Sequence, residues 1–154
     1  MKIQLTLPVI AILLLPLIGC GEKATETSDA GSAEANGGLT EEQLIKGIGP
    51  ISEVTLGPID EALYARGEEI FSTKCSACHK LDKRYVGPAL GDVIERRAPE
   101  YIMNMMLNPE EMVKMHPEAK ALLAQFMTPM PSQNLTQEDA RALLEYLREQ
   151  REEG

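Results

Sequence analysis

Tryptophan is absent from the 154 residues, and the aromatics amount to two Phe and four Tyr. So few large side chains leave little to fill a core. Histidine is scarce too: two residues are too few for a His-rich metal site or for most acid–base machinery. Cations are outnumbered, with 15 Lys and Arg against 24 Asp and Glu, for a net charge of −9. That balance argues against nucleic acid as a partner, because phosphate contacts need clustered Lys and Arg. No segment alternates as a half-buried strand would. The length allows one domain with a tail, hardly two. Cysteine is sparse and odd in number, three in all, so paired disulfides would leave one over.

What is present begins with an apolar leader. Met1–Lys2 precede an uncharged run from Ile3 to Gly19, the n- and h-regions of a secretory signal. The run ends Leu17-Ile18-Gly19-Cys20, which resembles the lipobox of bacterial lipoproteins. That resemblance implies a signal peptide over 1–19 and a diacylglyceryl group on the Cys20 thiol. An uncleaved membrane anchor is the alternative, but the stretch is barely long enough to span and carries Pro8 and Pro16. Either reading places the remainder outside the cytoplasm. Residues 20–38 are rich in Ala, Gly, Ser, Thr and Glu with no large apolar side chain, so they read as a flexible, lipidated tether.

Ordered structure is expected from Leu39. Thr40 and Gln43 make a capping box for a short helix that stops at Gly47, and residues 39–59 are expected to pack along the domain as an extended arm. From Asp60 onward the pattern is helical, and 60–154 is read as one all-α domain. Asp60 is an N-cap, and Leu63, Gly67, Ile70 and Phe71 share one face. Pro99, Pro109 and Pro117 each take a first helical position, opening helices over 99–107, 109–115 and 117–127. Thr136 and Asp139 start a last helix with Ala140, Leu143, Leu144 and Leu147 on its apolar face. The charged segments are read as solvated helix faces.

Cys75-Ser76-Ala77-Cys78-His79 is C-x-x-C-H, which in an exported chain reads as c-type haem attachment. Two thiols add across the haem vinyl groups as thioethers, and the adjacent His79 supplies an axial imidazole to the iron. A thioredoxin-like pair needs a βαβ context that is missing. A zinc site needs a fourth ligand, and the only other histidine is His116. A Cys75–Cys78 disulfide leaves His79 without a purpose. A covalent haem c also gives the 60–154 domain the apolar centre that its composition lacks.

For the sixth position, Met130 is the choice. It lies in Thr128-Pro129-Met130-Pro131, a loop stiffened by proline on both sides. Met127 is the nearest competitor, at a helix end, and His116 is read as an exposed helix-start residue. Met103, Met105, Met106, Met112 and Met115 are read as adaptable packing. An open sixth position is the remaining alternative.

With these motifs in place, residues 60–148 resemble the class I monohaem cytochromes c. The features are the first helix running into C-x-x-C-H, the turn Val86-Gly87-Pro88-Ala89-Leu90, and the helix and Asn-Pro stop of residues 101–109. Met130 lies just before the last helix, and Gly67, Phe71 and Tyr146 sit where the terminal helices cross. The resemblance implies the class I fold and a Pro88 carbonyl that accepts from His79 Nδ1–H and orients the ring. It departs in the extra arm and in lacking the Trp that often holds a haem propionate. Arg96, Arg97, Lys83 and Tyr85 are candidates for that task. A cytochrome c-prime is argued against, because 75 residues follow His79.

The function implied is one-electron transfer, not enzymatic catalysis. The protein is read as a monomeric lipoprotein carrier, anchored to the membrane and facing the periplasm. Its partners would be membrane-bound or periplasmic redox proteins, between respiratory components and a terminal oxidase or reductase. A haem sensor with a labile sixth ligand is the rival, followed by a dedicated electron-donating subunit of a reductase. If acidic residues surround the haem edge, the docking face of the partner is expected to be basic.

Overall fold

The computed structural model describes residues 38–150. The expected signal peptide, Cys20 and the tether to residue 37 lie outside them. Helices open where polar caps and prolines stand. Thr40 accepts from Gln43 N–H at 3.1 Å and Gln43 Oε1 accepts from Thr40 N–H at 3.0 Å, starting α1, Glu41–Lys46. Asp60 accepts from the Ala62 and Leu63 N–H groups and starts α2, Glu61–Ile70. A four-residue α3, Val93–Arg96, leads to three helices with proline at their first position: α4, Pro99–Leu107; α5, Pro109–Met115; and α6, Pro117–Phe126. Thr136 and Asp139 form a second reciprocal box for α7, Gln137–Glu149. Among the described residues there is no strand, so the fold is all-α as the sequence implies.

Helix α2 packs against α7, and Gly67 marks the closest approach. A Cβ there would run into the Ala142 carbonyl oxygen and come within 2.8 Å of Tyr146 Cβ. The lost helix propensity, about 1 kcal/mol, is offset by that close packing. Gly67→Ala is therefore expected to be less stable by about 2 kcal/mol, since overpacking outweighs the propensity gained. Denaturant unfolding of the haem-loaded protein measures it, and a gain in stability would show that the helices can separate freely. Phe71 and Tyr146 meet beside this point at 5.2 Å between ring centroids. Ile102, Met103, Ala140, Leu143, Leu144 and Leu147 complete the main core. The apolar face expected of the last helix is buried throughout.

A second, smaller core lies under the arm, where Leu39 and Ile48 meet Tyr101, Met112 and Ala119. The arm runs along α4 and α7, held by side chains that satisfy its backbone. Asn104 Oδ1 accepts from Ile51 N–H at 2.9 Å, and its Nδ2 donates to the carbonyls of Lys46 and Ile51, both at 2.9 Å. Glu100 accepts from Val54 N–H at 2.9 Å. Gly49 lies directly over Asn104, where a Cβ would collide with its amide.

Two expectations are overturned here. His116 is fully buried rather than exposed, because the arm closes over it and Leu44 O accepts from its Nε2 at 3.1 Å. Nor is α7 solvated wherever it is charged. Glu145 has no exposed surface and lies between Arg141, at 2.8 Å, and Arg148, at 2.6 Å. Both arginines also donate to the arm, Arg141 to Thr55 O at 3.1 Å and Arg148 to Gly57 O at 2.8 Å. Burial is tolerable because each carboxylate oxygen has a charged donor.

Candidate haem site

The end of α2 widens into a π turn over Phe71–Cys75, in which Ser76 N–H reaches the Phe71 carbonyl at 2.9 Å. Phe71 and Cys75 both border a cavity of about 480 Å³. The chain then turns tightly, with Cys78 and His79 N–H groups both donating to Cys75 O. Residues 80–91 fold back over this turn. Gly87 N–H donates to Cys78 O at 2.8 Å, Leu90 to Lys80 O and Gly91 to Leu81 O, both at 3.0 Å.

This return brings Pro88 onto the histidine, with its carbonyl 3.0 Å from His79 Nδ1. A carbonyl only accepts, so Nδ1 carries a proton and Nε2 is the nitrogen left to serve as a ligand. Gly87 supports the same ring: a Cβ there would lie 2.5 Å from His79 Cε1. The imidazole is thus fixed from two sides by adjacent backbone units. Cys75, Cys78 and His79 all line the one cavity.

The thiols are unpaired. Burial pushes the Cys75 thiol up to about 11, outweighing the nearby Lys74 cation. A thiol shifted that way is a poor nucleophile for disulfide exchange, which speaks against a thioredoxin-like reading. Among the described residues, no three His, Cys, Asp or Glu side chains cluster as a metal ion bound by the protein alone would need.

Met130 lies on the wall of the same cavity, half-buried, with Thr128, Pro129 and Pro131 beside it. Its loop also borders a second cavity of about 230 Å³, formed with Pro109, Glu110, Val113 and Lys114. Met127 does not line the main cavity. It closes α6 with a left-handed φ of 55° and is 82 % exposed. Met105 and Met106 border the cavity from α4, where the sequence suggested only packing. Met103 and Met112 are buried in the two cores, and Met112 Sδ accepts from Ile48 N–H at 3.0 Å.

The remaining walls are largely apolar, from Leu90, Val93, Ile102, Leu143 and Leu147 among others. Charge on them is of one sign: Lys74, Arg96 and Arg97 contribute, and no carboxylate does. The loop beside Gly87 adds Lys80, Lys83 and Arg84 against Asp82. The acidic surround on which a basic partner was predicated is therefore not what borders the cavity.

A large apolar cavity entered by two thiols and one backbone-oriented imidazole defines a protein that holds a haem of the c type. The residues fit that group in donor chemistry, and the cavity falls within the range of cofactor pockets. The comparisons agree. The family described as Cytochrome c matches residues 64–151, more than half of the chain. This protein belongs to the cytochrome c family, and its cofactor is a covalently attached haem c with its iron. A solved structure of cytochrome c from Rhodothermus marinus is similar, at 51% identity and a TM-score of 0.70, over 73% of this chain and 98% of that one. Cytochrome c-551 from Ectopseudomonas mendocina is 32% identical over 84 residues, 54% of this chain and 95% of that protein. Cytochrome c2 from Rhodopseudomonas palustris is 53% identical over 34 residues, and the chain spans only 29% of its length.

Proposed function

We propose that the protein is a one-electron carrier with His79 and Met130 as axial ligands, and not an enzyme. The observation that supports this most is the shared cavity: an imidazole locked by Pro88 and Gly87, and a methionine on a loop braced by two prolines. When bound, the haem would supply the reversible one-electron chemistry. The chain contributes a fixed imidazole, a loop stiffened by two prolines and largely apolar walls. Little has to move when the charge on the iron changes. Methionine with histidine raises the potential relative to other axial pairs, which suits a carrier feeding a terminal oxidase or reductase.

In this reading Cys20 carries the lipid and residues 20–38 tether the domain to the periplasmic side of a membrane. Tethering would raise the effective concentration at membrane-bound redox partners. Among the described residues, no helix is long and apolar enough to cross a membrane, so attachment would rest on the segment before them. Arg96 and Arg97 are paired with Asp92 and Glu118, so a partner with an acidic docking face is favoured only by Lys74, Lys80 and Arg84, against a net charge of −9.

Spectra of the oxidised and reduced protein test the class of function. A low-spin ferric form that ignores CO after reduction is the expected result. A high-spin form that binds CO would instead make the protein a sensor. For docking, electron-transfer rates to a redox protein with an acidic face should fall as salt rises from low to physiological strength, as screening shortens the field to about 8 Å. Rates that rise with salt would return the partner to a basic face.

A further inference from the structure

The Met130 loop runs from the end of α6 to the start of α7, and each end carries a residue in an uncommon backbone state. Among the described residues, Met127 at φ 55° and Asn134 at φ 50° are the non-glycines in the left-handed region. A side chain there crowds its own backbone, so such a residue needs support from its surroundings. Asparagine tolerates the state better than methionine does. Pro129 and Pro131 stiffen the middle of the loop, but they do not hold its ends.

Just before each of these two residues a cation grips the chain. Ahead of Met127, Arg84 Nη2 donates to Gln125 O at 2.9 Å, and its guanidinium carbon lies 4.2 Å from the centre of the Phe126 ring. A planar cation on an aromatic face, with one N–H fixed on a carbonyl, is a defined geometry rather than a loose charge contact. Phe126 lines the cavity. Ahead of Asn134, Lys74 Nζ donates to Gln133 O at 3.3 Å, and both residues border the cavity. The two cations come from the other side of the site. Lys74 lies in the π turn, immediately before Cys75. Arg84 stands in the return segment that brings Gly87 and Pro88 onto His79. The contacts span 59 and 41 residues, so neither is a local turn. The segment that fixes the imidazole is thereby tied at two points to the loop that carries the methionine.

We propose that Arg84 and Lys74 are positioning residues for the distal ligand: two clasps, one at each hinge of the loop, that keep Met130 on the cavity wall. The assignment rests on the reading of Met130 as the sixth ligand. The clasps set how often the loop opens, and so how readily a small base from solution can take the methionine's place. Arg84 is the stronger of the two, because it makes two contacts where Lys74 makes one longer bond.

The test uses the full chain loaded with haem, in the ferric state. Imidazole is titrated in at fixed pH, and loss of the far-red methionine band gives the midpoint. Its apparent affinity scales with the fraction of molecules whose loop is open. Arg84→Leu should lower the midpoint about tenfold and Lys74→Leu about fivefold, from the lost hydrogen bonds and, for Arg84, the lost ring contact. Both side chains are exposed, so the domain should fold. Lys83→Leu is the control, since it removes a cation from the same return segment, where Lys83 pairs with the adjacent Asp82 at 3.7 Å. It should move the midpoint by at most about twofold. Lys83 and Tyr85 were open as propionate partners from the sequence, yet neither lines the cavity, whereas Arg96 and Arg97 do. A merely structural role for the clasps would lower the unfolding midpoint in denaturant and leave the imidazole midpoint where it is. An unmoved imidazole midpoint in both variants, with a normal band, overturns the clasps alone. An equal shift in Lys83→Leu would reduce the effect to charge and overturn them as well. Survival of the band in Met130→Ala strikes instead at the ligand itself, and the clasps fall with it.

Discussion

Replacing Met130 by alanine is expected to abolish the far-red methionine-to-iron band completely, and to open the iron to CO after reduction. On the proposed ligation the potential should fall as well, because a methionine ligand favours ferrous iron. Stability should drop by about 2 kcal/mol, the lower end for truncating a methionine, since this side chain is only half-buried. The comparison that decides the assignment uses other methionines. Met127→Ala should leave the band intact, because that side chain stands in solvent outside the cavity. Met105→Leu and Met106→Leu keep the apolar wall and should leave it intact too. Survival of the band in Met130→Ala, with loss in either leucine variant, would move the ligand from the loop to α4. The structure gives a reason to expect the loop. Pro129 and Pro131 limit how far Met130 can swing, and the 230 Å³ cavity behind it leaves room for the side chain to settle without disturbing α5.

Asn104→Ala should be the most damaging change away from the cofactor. It removes the acceptor for Ile51 N–H and the donor to two carbonyls, in a side chain with 1 % of its surface exposed. Each buried group left unpaired costs about 1–3 kcal/mol, and the three together should cost about 4 kcal/mol. Part of this can be avoided by local release of residues 47–59, so equilibrium unfolding should be read together with hydrogen exchange in the arm. Asn104→Asp is the sharper variant. It keeps shape and the acceptor for Ile51, yet turns an anion toward the Lys46 and Ile51 carbonyls. Arm amides should lose protection in both variants while the α2–α7 core keeps its own. Full protection of the arm in Asn104→Asp would mean that Glu100 and the two arginines of α7 hold it without help.

Much of the fold could be read locally, and the reason is physical. Capping boxes at Thr40 and Thr136, the Asp60 cap and prolines at three helix starts act within four residues of where they stand. Haem attachment is legible for the same reason, since Cys75, Cys78 and His79 lie within one turn. The arm's fastenings are of another kind. Asn104 lies 53 residues from Ile51, and Arg148 lies 91 from Gly57. Nothing near Glu145 reveals that a distant segment covers it, so a solvated face was the natural reading. His116 misleads in the same way, because Leu44 O lies 72 residues away. Tyr101 reads in the sequence only as the start of a helix, and its place on the cavity wall depends on folding that the sequence alone does not outline.

The arginines of α7 that grip the arm also set an order of assembly. Thr55 and Gly57 are bound by residues 86 and 91 positions further along the chain. On a ribosome or a translocation channel, the arm therefore emerges well before its partners. The 55–57 end of the arm is therefore fully held only once the last helix has formed. The arm is thus secured in two stages, its inner stretch by Asn104 and Glu100 of α4 and its far end by the helix that is made last.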